Sequence, residues 1–136
     1  MTTAIDTNIL LDPLIPNEAF YNASTAALQE SAAGLMVVCD IVYAELSVHF
    51  EDQAECDEFL ESNDIRVDPL TRKAHFLASR AWRMYRRSGG KRSRIITDFL
   101  IGAHAQEQAT RLLSRDRGFY RELFPSLTIV GPSVLT

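Results

Sequence analysis

Short apolar runs, separated by longer segments with helical periodicity, predict an alternation of strands and helices along the chain. The runs at residues 3–5 and 35–39 are continuous and rich in apolar residues, which favours strands buried on both faces of a sheet. Three more strands are predicted at residues 65–67, 111–113 and 127–130. This alternation indicates an α/β fold, with a mainly parallel central sheet between helices in a three-layer α/β/α arrangement.

Capping residues and apolar stripes predict where the intervening helices begin and end. Pro13 and Pro16 predict a loop after the first strand, and Asn17 is a suitable cap for a helix to about Ser31. Asp40 is predicted to cap the next helix, whose second, acidic arm lies at 51–62. A long helix is predicted from the Thr71 cap to Gly89 and Gly90, followed by a helix from the Thr97 cap to about Gln108 and a short helix at 117–123.

The composition predicts one globular domain with an apolar core. The chain has 136 residues, of which 46% are hydrophobic and 24% charged, so we expect a single domain over residues 1–136. No apolar run approaches the roughly 20 residues that cross a bilayer, and no basic leader precedes Asp6, so a cytoplasmic location is expected without membrane association. Cys39 and Cys56 are expected to be free thiols, as is usual in a reducing compartment.

The distribution of charge says more than its sum. The net charge of −4 argues against a protein that coats nucleic acid through overall charge alone. Residues 51–64 contain seven acids and no base, whereas residues 69–97 contain nine bases and no acid. Such runs are usually solvated helix faces, but an acid-free stretch also suits contact with a phosphate backbone. Charge alone leaves both interpretations open.

Four acidic residues are predicted to share one rim of the sheet. Asp6 ends the first strand, Glu45 lies one helical turn past the second, Asp98 opens a helix, and Asp116 follows the fourth strand. Because sites in parallel sheets form beyond the carboxyl ends of the strands, we expect these four side chains to lie together.

Clustered carboxylates repel each other and favour a bound cation. Two unit charges about 4 Å apart cost on the order of 4 kcal/mol at an effective dielectric near 20, which a divalent ion or protonation relieves. Oxygen ligands without Cys or His favour Mg²⁺ or Mn²⁺ over zinc. Such an ion activates water and stabilises the leaving 3′ oxygen of a phosphodiester, so the expected products carry a 5′-phosphate and a 3′-hydroxyl.

Each acid also has an ordinary structural interpretation when it is taken alone. Asp6 is suited to a cap, Asp98 to the positive end of a helix, and Asp116 to an ion pair with Arg115 or Arg117. Glu45 is different, because its neighbours are apolar and a carboxylate among them needs a partner. The joint placement of the four, rather than any one of them, favours a metal site.

Four segments resemble one known family. They are AIDTNILLD at 4–12, CDIVYAEL at 39–46, ITDFLIGAHA at 96–105 and LLSRDRGFYRELFPSLTIV at 112–130. In these segments and their spacing, which cover nearly the whole chain, the sequence resembles the PIN-domain family, and within it the VapC-type toxins of toxin–antitoxin pairs. The fold expected from the resemblance is PIN-like.

The resemblance implies a role for six residues. Asp6, Glu45, Asp98 and Asp116 match the family's metal-binding acids, while Asn8 and Ser114 match supporting residues that orient the first acid or donate a hydrogen bond.

The resemblance further implies a Mg²⁺- or Mn²⁺-dependent endoribonuclease, commonly a homodimer, which a cognate antitoxin silences by occupying the groove beside the active site. The alternative is a non-catalytic PIN-like module that binds RNA or protein; such a module would tolerate loss of the acids, and none is missing.

With this site assigned, the basic stretch before Asp98 has an expected role. Lys91, Arg92 and Arg94 are predicted to contact RNA phosphates beside the metal. Four aromatic side chains are predicted to pack against other residues: Trp82 and Tyr85 in the core or a dimer interface, and Phe119 and Phe124 in the core. His104 is predicted to be a packed side chain rather than a metal ligand.

Overall fold

A five-stranded parallel sheet forms the centre of the computed structural model, which describes residues 1–15, 19–90 and 96–132. The strands are β1 (Thr2–Ile5), β2 (Leu35–Val38), β3 (Ile65–Val67), β4 (Arg111–Leu113) and β5 (Thr128–Val130). Their order across the sheet is β3-β2-β1-β4-β5, and every neighbouring pair is parallel. The predicted α/β fold with a parallel sheet is confirmed.

Seven helices of the described residues connect the strands. They are α1 (Thr7–Leu14), α2 (Tyr21–Ser31), α3 (Asp40–Ser47), α4 (Gln53–Ser62), α5 (Arg72–Arg87), α6 (Ile96–Gln108) and α7 (Arg117–Leu123). If the connections are right-handed, as is usual in parallel sheets, this strand order puts α1–α4 on one face of the sheet and α5–α7 on the other. Consecutive residues Met36, Val37 and Val38 are all buried, as are Leu112 and Leu113, so the middle of the sheet is covered on both faces.

The connection after β1 differs from its prediction. It is the helix α1 rather than a loop, and Asp6 caps it by accepting a hydrogen bond from the Thr7 backbone N–H at 2.8 Å. Pro13 lies in the last turn, where the missing N–H removes only one bond of a short helix. The predicted cap Asn17 lies outside the described residues, and α2 begins at Tyr21.

Two predicted caps are wrong, whereas a third is confirmed. Cys39 rather than Asp40 is the N-cap of α3, and the Asp40 carboxylate instead accepts a hydrogen bond from the Leu70 N–H at 3.1 Å. Thr97 lies inside α6, which begins at Ile96. Thr71 caps α5 as predicted, because its hydroxyl oxygen accepts a bond from the Ala74 N–H at 3.2 Å. Helix ends commonly shift by one or two residues in this way.

The packing predictions hold for every side chain except one. Phe119 and Phe124 are buried, and Tyr85 packs on Phe99 with ring centroids 5.5 Å apart. His104 is 1% exposed and its Nε2 lies 2.9 Å from Asp68 Oδ2. Trp82, in contrast, is 39% exposed, which excludes the core and leaves the dimer interface, the other predicted place for this side chain, as a prediction.

Cys39 and Cys56 are buried free thiols, as predicted. Burial raises the pKa of the Cys39 thiol to about 11, which keeps it protonated at neutral pH. None of the helices in the described part of the chain is long and apolar enough to span a bilayer.

Candidate functional site

The site lies where the strand order of the sheet reverses. From β1 the chain passes to β2 on one side, while β4 pairs with β1 on the other side. In open parallel sheets such a switch point leaves a crevice at the carboxyl ends of the strands. Asp6 follows β1 and Ser114 follows β4, and the Asp6 N–H donates a hydrogen bond to the Leu113 carbonyl at 2.9 Å. The first predicted acid is therefore held beside the end of β4.

All four predicted acids line one cleft at this point. They reach it from different elements: Asp6 caps α1, Glu45 lies in α3, Asp98 lies in the first turn of α6, and Asp116 caps α7. The cleft has a volume of about 470 Å³ and its lining residues are Asp6, Thr7, Asn8, Leu11, Glu45, Val48, His49, Asp98 and Asp116. The fold thus brings together acids that lie up to 110 positions apart in the sequence.

Asp6 is the most buried of the four acids, and its carboxylate accepts four hydrogen bonds. The residue is 6% exposed. Its Oδ2 accepts hydrogen bonds from the Ser114 hydroxyl at 2.7 Å, the Tyr120 hydroxyl at 3.2 Å and the Asn8 amide at 3.3 Å. Its Oδ1 accepts the capping bond from the Thr7 N–H at 2.8 Å. These donors offset much of the cost of removing a carboxylate from water.

The pKa of Asp6 records the balance between burial and these hydrogen bonds. The pKa of Asp6 is raised from 3.8 to about 6: burial raises it most and the charge of Asp98 adds to the rise, whereas the bonds from Ser114, Thr7 and Tyr120 lower it. Burial and the nearby Asp6 carboxylate also raise the pKa of Tyr120 well above its ordinary value. Tyr120 therefore remains a protonated donor to Asp6 at neutral pH.

Thr7 connects Asp6 to the second acid. Its backbone N–H bonds Asp6, and its hydroxyl donates a hydrogen bond to Glu45 Oε1 at 2.7 Å. Glu45 is half-buried on α3, and Thr7 is the partner that its apolar surroundings require. A single threonine thus sets the relative placement of two of the four carboxylates.

Ser114 connects Asp6 to the fourth acid. Its hydroxyl donates to Asp6 and accepts a hydrogen bond from the Asp116 N–H at 2.9 Å. Asn8 makes a similar bridge, since its amide N donates to Asp6 while its Oδ1 accepts from the Arg115 N–H at 3.3 Å. Both residues named as supports from the sequence therefore contact Asp6 and the segment that carries Asp116.

The chemistry of the donor set suits a hard divalent cation, but the side chains do not converge. Four carboxylates in one cleft provide the oxygen ligands that Mg²⁺ and Mn²⁺ prefer. Among the residues that the structure describes, however, no three His, Cys, Asp or Glu side chains are grouped closely enough to hold a metal ion as they stand. Both oxygens of Asp6 already accept hydrogen bonds. The fold therefore gathers the acids in one cleft, while the carboxylates of Asp6 and Glu45 are oriented by hydrogen bonds from neighbouring side chains.

The predicted phosphate-contacting residues Lys91, Arg92 and Arg94 lie outside the described residues. The helix that precedes them in the sequence, α5, packs against α6. Tyr85, near the end of α5, contacts Phe99, in the first turn of α6, so the carboxyl end of α5 lies beside Asp98. This end of α5 carries four arginines, namely Arg80, Arg83, Arg86 and Arg87.

Sequence reasoning missed several side chains at the site. Tyr120 lies on α7, four residues after Asp116. This spacing puts two residues on the same side of a helix, so the sequence could have placed Tyr120 at the site with Asp116. Thr7 and His49, which also line the cleft, carried no comparable signal. Arg115 was considered as a partner of Asp116, but its guanidinium pairs with Asp12, with bonds of 2.9 and 3.1 Å.

Comparison with known proteins agrees with this architecture. A family model described as PIN domain matches residues 3–122. No curated protein matches the sequence.

Solved structures similar to this chain include three from bacteria. VapBC2 from Rickettsia felis, bound to a promoter DNA fragment, matches with a TM-score of 0.74 and 20% identity over 98% of this chain and 100% of that one. VapBC-1 from Haemophilus influenzae matches with a TM-score of 0.72 and 15% identity over 96% and 98%. A toxin–antitoxin complex from Klebsiella pneumoniae matches with a TM-score of 0.70 and 17% identity over 98% and 99%. At these identities the likeness shows a shared fold.

Proposed function

The chain belongs to the PIN-domain family, and from this membership we propose that it is a Mg²⁺-dependent endoribonuclease of the VapC toxin type. The observation that carries the proposal is the cleft at the switch point of the sheet, which Asp6, Glu45, Asp98 and Asp116 line together. Carboxylates are costly to place side by side, and a cation-dependent reaction is the simplest reason for a fold to do so.

In the proposed reaction the four acids hold the cation and their neighbours orient them. Mg²⁺, or Mn²⁺ in its place, would activate water and neutralise charge on the scissile phosphate when bound. Glu45, Asp98 and Asp116 are only half-buried, so rotation of these side chains is the way in which the cleft would adapt to an ion. Asp6 is fixed by Ser114, and its hydrogen bonds keep one carboxylate in place while the others adjust.

The proposed substrate is RNA, held by positive charge next to the acids. A chain of net charge −4 needs a local concentration of basic residues to attract a polyanion, and the sequence supplies one at residues 80–94. Its described part is the carboxyl end of α5, which lies beside Asp98. Lys91, Arg92 and Arg94 are proposed to contact the phosphates that flank the cleaved bond.

We also propose an antitoxin as the protein partner and a homodimer as the assembled form. The similarity to VapBC2 and to the Klebsiella pneumoniae toxin–antitoxin complex supports the antitoxin, whereas the homodimer is proposed from the family resemblance alone. Expression of the wild-type chain in a bacterial host should arrest growth, and co-expression of the protein encoded next to its gene should relieve the arrest. Expression of Asp98→Asn should leave growth unaffected.

Cleavage of RNA by the purified protein tests the proposed reaction. We expect Mg²⁺- or Mn²⁺-dependent cleavage that leaves 5′-phosphate and 3′-hydroxyl ends, that a chelator abolishes, and that Asp6→Asn and Asp98→Asn lose while remaining folded by circular dichroism. Asp64→Asn is the matched control, because Asp64 is exposed and has a φ of 55°, which Asn also adopts readily. Cleavage that survives the chelator and both site substitutions would contradict the metal-dependent mechanism. RNA binding without cleavage by the wild-type protein would instead favour a non-catalytic module.

A further inference from the structure

Arg115 lies between two residues of the site, yet its side chain leaves the site. Ser114 before it bonds Asp6, and Asp116 after it lines the cleft. The Arg115 guanidinium extends to α1, where its Nε and Nη2 donate to the two carboxylate oxygens of Asp12 at 2.9 and 3.1 Å. The chain bends at Arg115, so its side chain is held against α1 while Ser114 and Asp116 on either side of the bend remain at the site.

The Arg115–Asp12 pair is itself held by residues of α2 and the segment before it. The side chain of Asp12 is 3% exposed, and its Oδ2 also accepts a hydrogen bond from the Ser24 hydroxyl at 2.6 Å. The guanidinium of Arg115 lies over the ring of Phe20, 4.2 Å from its centroid. A bidentate ion pair with a stacked guanidinium leaves the arginine little freedom to move.

The backbone of Arg115 is also connected to Asp6, through the side chain of Asn8. The Arg115 N–H donates to Asn8 Oδ1, and the Asn8 amide donates to Asp6. A shift of the Arg115 backbone would therefore disturb the Asn8 and Ser114 contacts to Asp6 and the position of Asp116 together.

We propose that the Arg115–Asp12 ion pair is a positioning clamp, which fixes residues 114–116 so that Asp116 and Asp6 can hold a divalent cation together. The clamp rests on the proposed function, since it serves the cation that the proposed function requires. Asp12 is absent from the lining of the cleft, so it acts through Arg115 rather than on the ion. A buried ion pair adds little net stability compared with apolar side chains of similar size, which favours a geometric role for this one.

Calorimetric titration with Mn²⁺ of the full chain, freed of metal by chelation, tests the clamp. The variant D12L/R115M replaces the pair by apolar side chains and should remain folded. We expect its Mn²⁺ dissociation constant to rise about 10- to 100-fold, as is usual when a residue that orients metal ligands is lost. R115K keeps the charge but cannot make both bonds, and its dissociation constant should lie between those of the wild type and the double variant.

The control is K73M/E107L, which removes an ion pair of 3.3 Å between an exposed lysine and Glu107 on α6. It should leave the Mn²⁺ dissociation constant unchanged. Thermal unfolding curves verify that each protein is folded at the temperature of the titration. Equal dissociation constants for the wild type, R115K and D12L/R115M would overturn the clamp while leaving the proposed function intact. Failure of the wild type to bind Mn²⁺ would overturn the proposed function, and the clamp with it.

Discussion

The hydroxyl of Ser114 donates a hydrogen bond of 2.7 Å to the carboxylate of Asp6, although the two residues lie 108 positions apart in the chain. The bond joins the ends of β1 and β4, the two strands between which the order of the sheet reverses. It ties the first acid of the proposed metal site to the segment that carries the last one, Asp116. The consequences of breaking it can be measured.

Replacing Ser114 by Ala should raise the pKa of Asp6 above about 6, because the Ser114 bond is the largest influence that lowers it. A proton then competes more strongly with the cation, so Mn²⁺ should bind roughly tenfold more weakly at neutral pH. Titration calorimetry with Mn²⁺ at several pH values measures this effect, and Ser62→Ala at the exposed end of α4 is the control. An unchanged affinity across the whole pH range would show that the hydroxyl does not support the site.

Replacing Tyr120 by Phe should raise the pKa of Asp6 less than Ser114→Ala does. The Tyr120 bond is longer, at 3.2 Å, and the phenyl ring that packs 5.2 Å from Phe119 is retained. The pH titration of the Asp6 carboxyl carbon by NMR measures the change. Tyr43→Phe is a matched control, because its hydroxyl donates to a different carboxylate, Asp57, at 2.7 Å. A fall in the pKa of Asp6 in Tyr120→Phe would contradict the assigned direction of the bond.

The stability of the metal-free protein should depend on pH through Asp6. The pKa of this carboxyl is about 6 in the folded protein, compared with 3.8 without the fold, so the folded state binds the proton more tightly. Raising the pH through this window removes the proton and lowers the free energy of unfolding, by roughly 3 kcal/mol for a shift of this size.

Urea unfolding in the presence of a chelator measures this dependence. Asn does not titrate, so the stability of the wild type relative to Asp6→Asn should fall by roughly 2.5 kcal/mol between about pH 4 and pH 8, since part of the full effect lies below pH 4. The comparison cancels the contributions of the other acids. A difference that stays constant with pH would mean that Asp6 keeps an ordinary pKa in the fold.

Replacing Gly102 by Ala should destabilise the protein, although alanine usually favours a helix. A Cβ atom built at Gly102 on α6 would lie 2.4 to 3.0 Å from three ring atoms of Phe124, which is 2% exposed and has no space to withdraw. The overlap should cost on the order of 1–3 kcal/mol, more than the gain of about 1 kcal/mol in helix propensity. Chemical denaturation measures the loss. The double variant with Phe124→Leu should recover part of it, and a stabilised Gly102→Ala would contradict this packing.

The strands were predictable because short apolar runs, of which β2 is the clearest, are separated by longer segments with helical periodicity. The positions predicted for β3 and β4 coincide with the observed strands, as does the predicted position of α7. The sequence predicts a loop in place of α1 because proline usually ends a helix, whereas Pro13 lies in the last turn of α1, where it is tolerated. In this case the capping signal of Asp6 was the better guide.

The site was predictable as a set of acids but not as a network of contacts. The rule that sites lie beyond the carboxyl ends of parallel strands was sufficient to place Asp6, Glu45, Asp98 and Asp116 on one rim. The bonds that orient them depend on strand order, which no local pattern encodes. The Arg115–Asp12 pair spans 103 positions and exists only because β4 lies next to β1.

Titration calorimetry with Mn²⁺ on four proteins tests most directly whether the four carboxylates form one metal site. The wild type should bind Mn²⁺ with saturation, and Glu45→Gln and Asp98→Asn, each altered at one side of the cleft, should bind at least about tenfold more weakly. Asp64→Asn makes the same change from carboxylate to amide at an exposed position, and it should bind Mn²⁺ like the wild type. Equal binding by all four proteins would contradict the shared site.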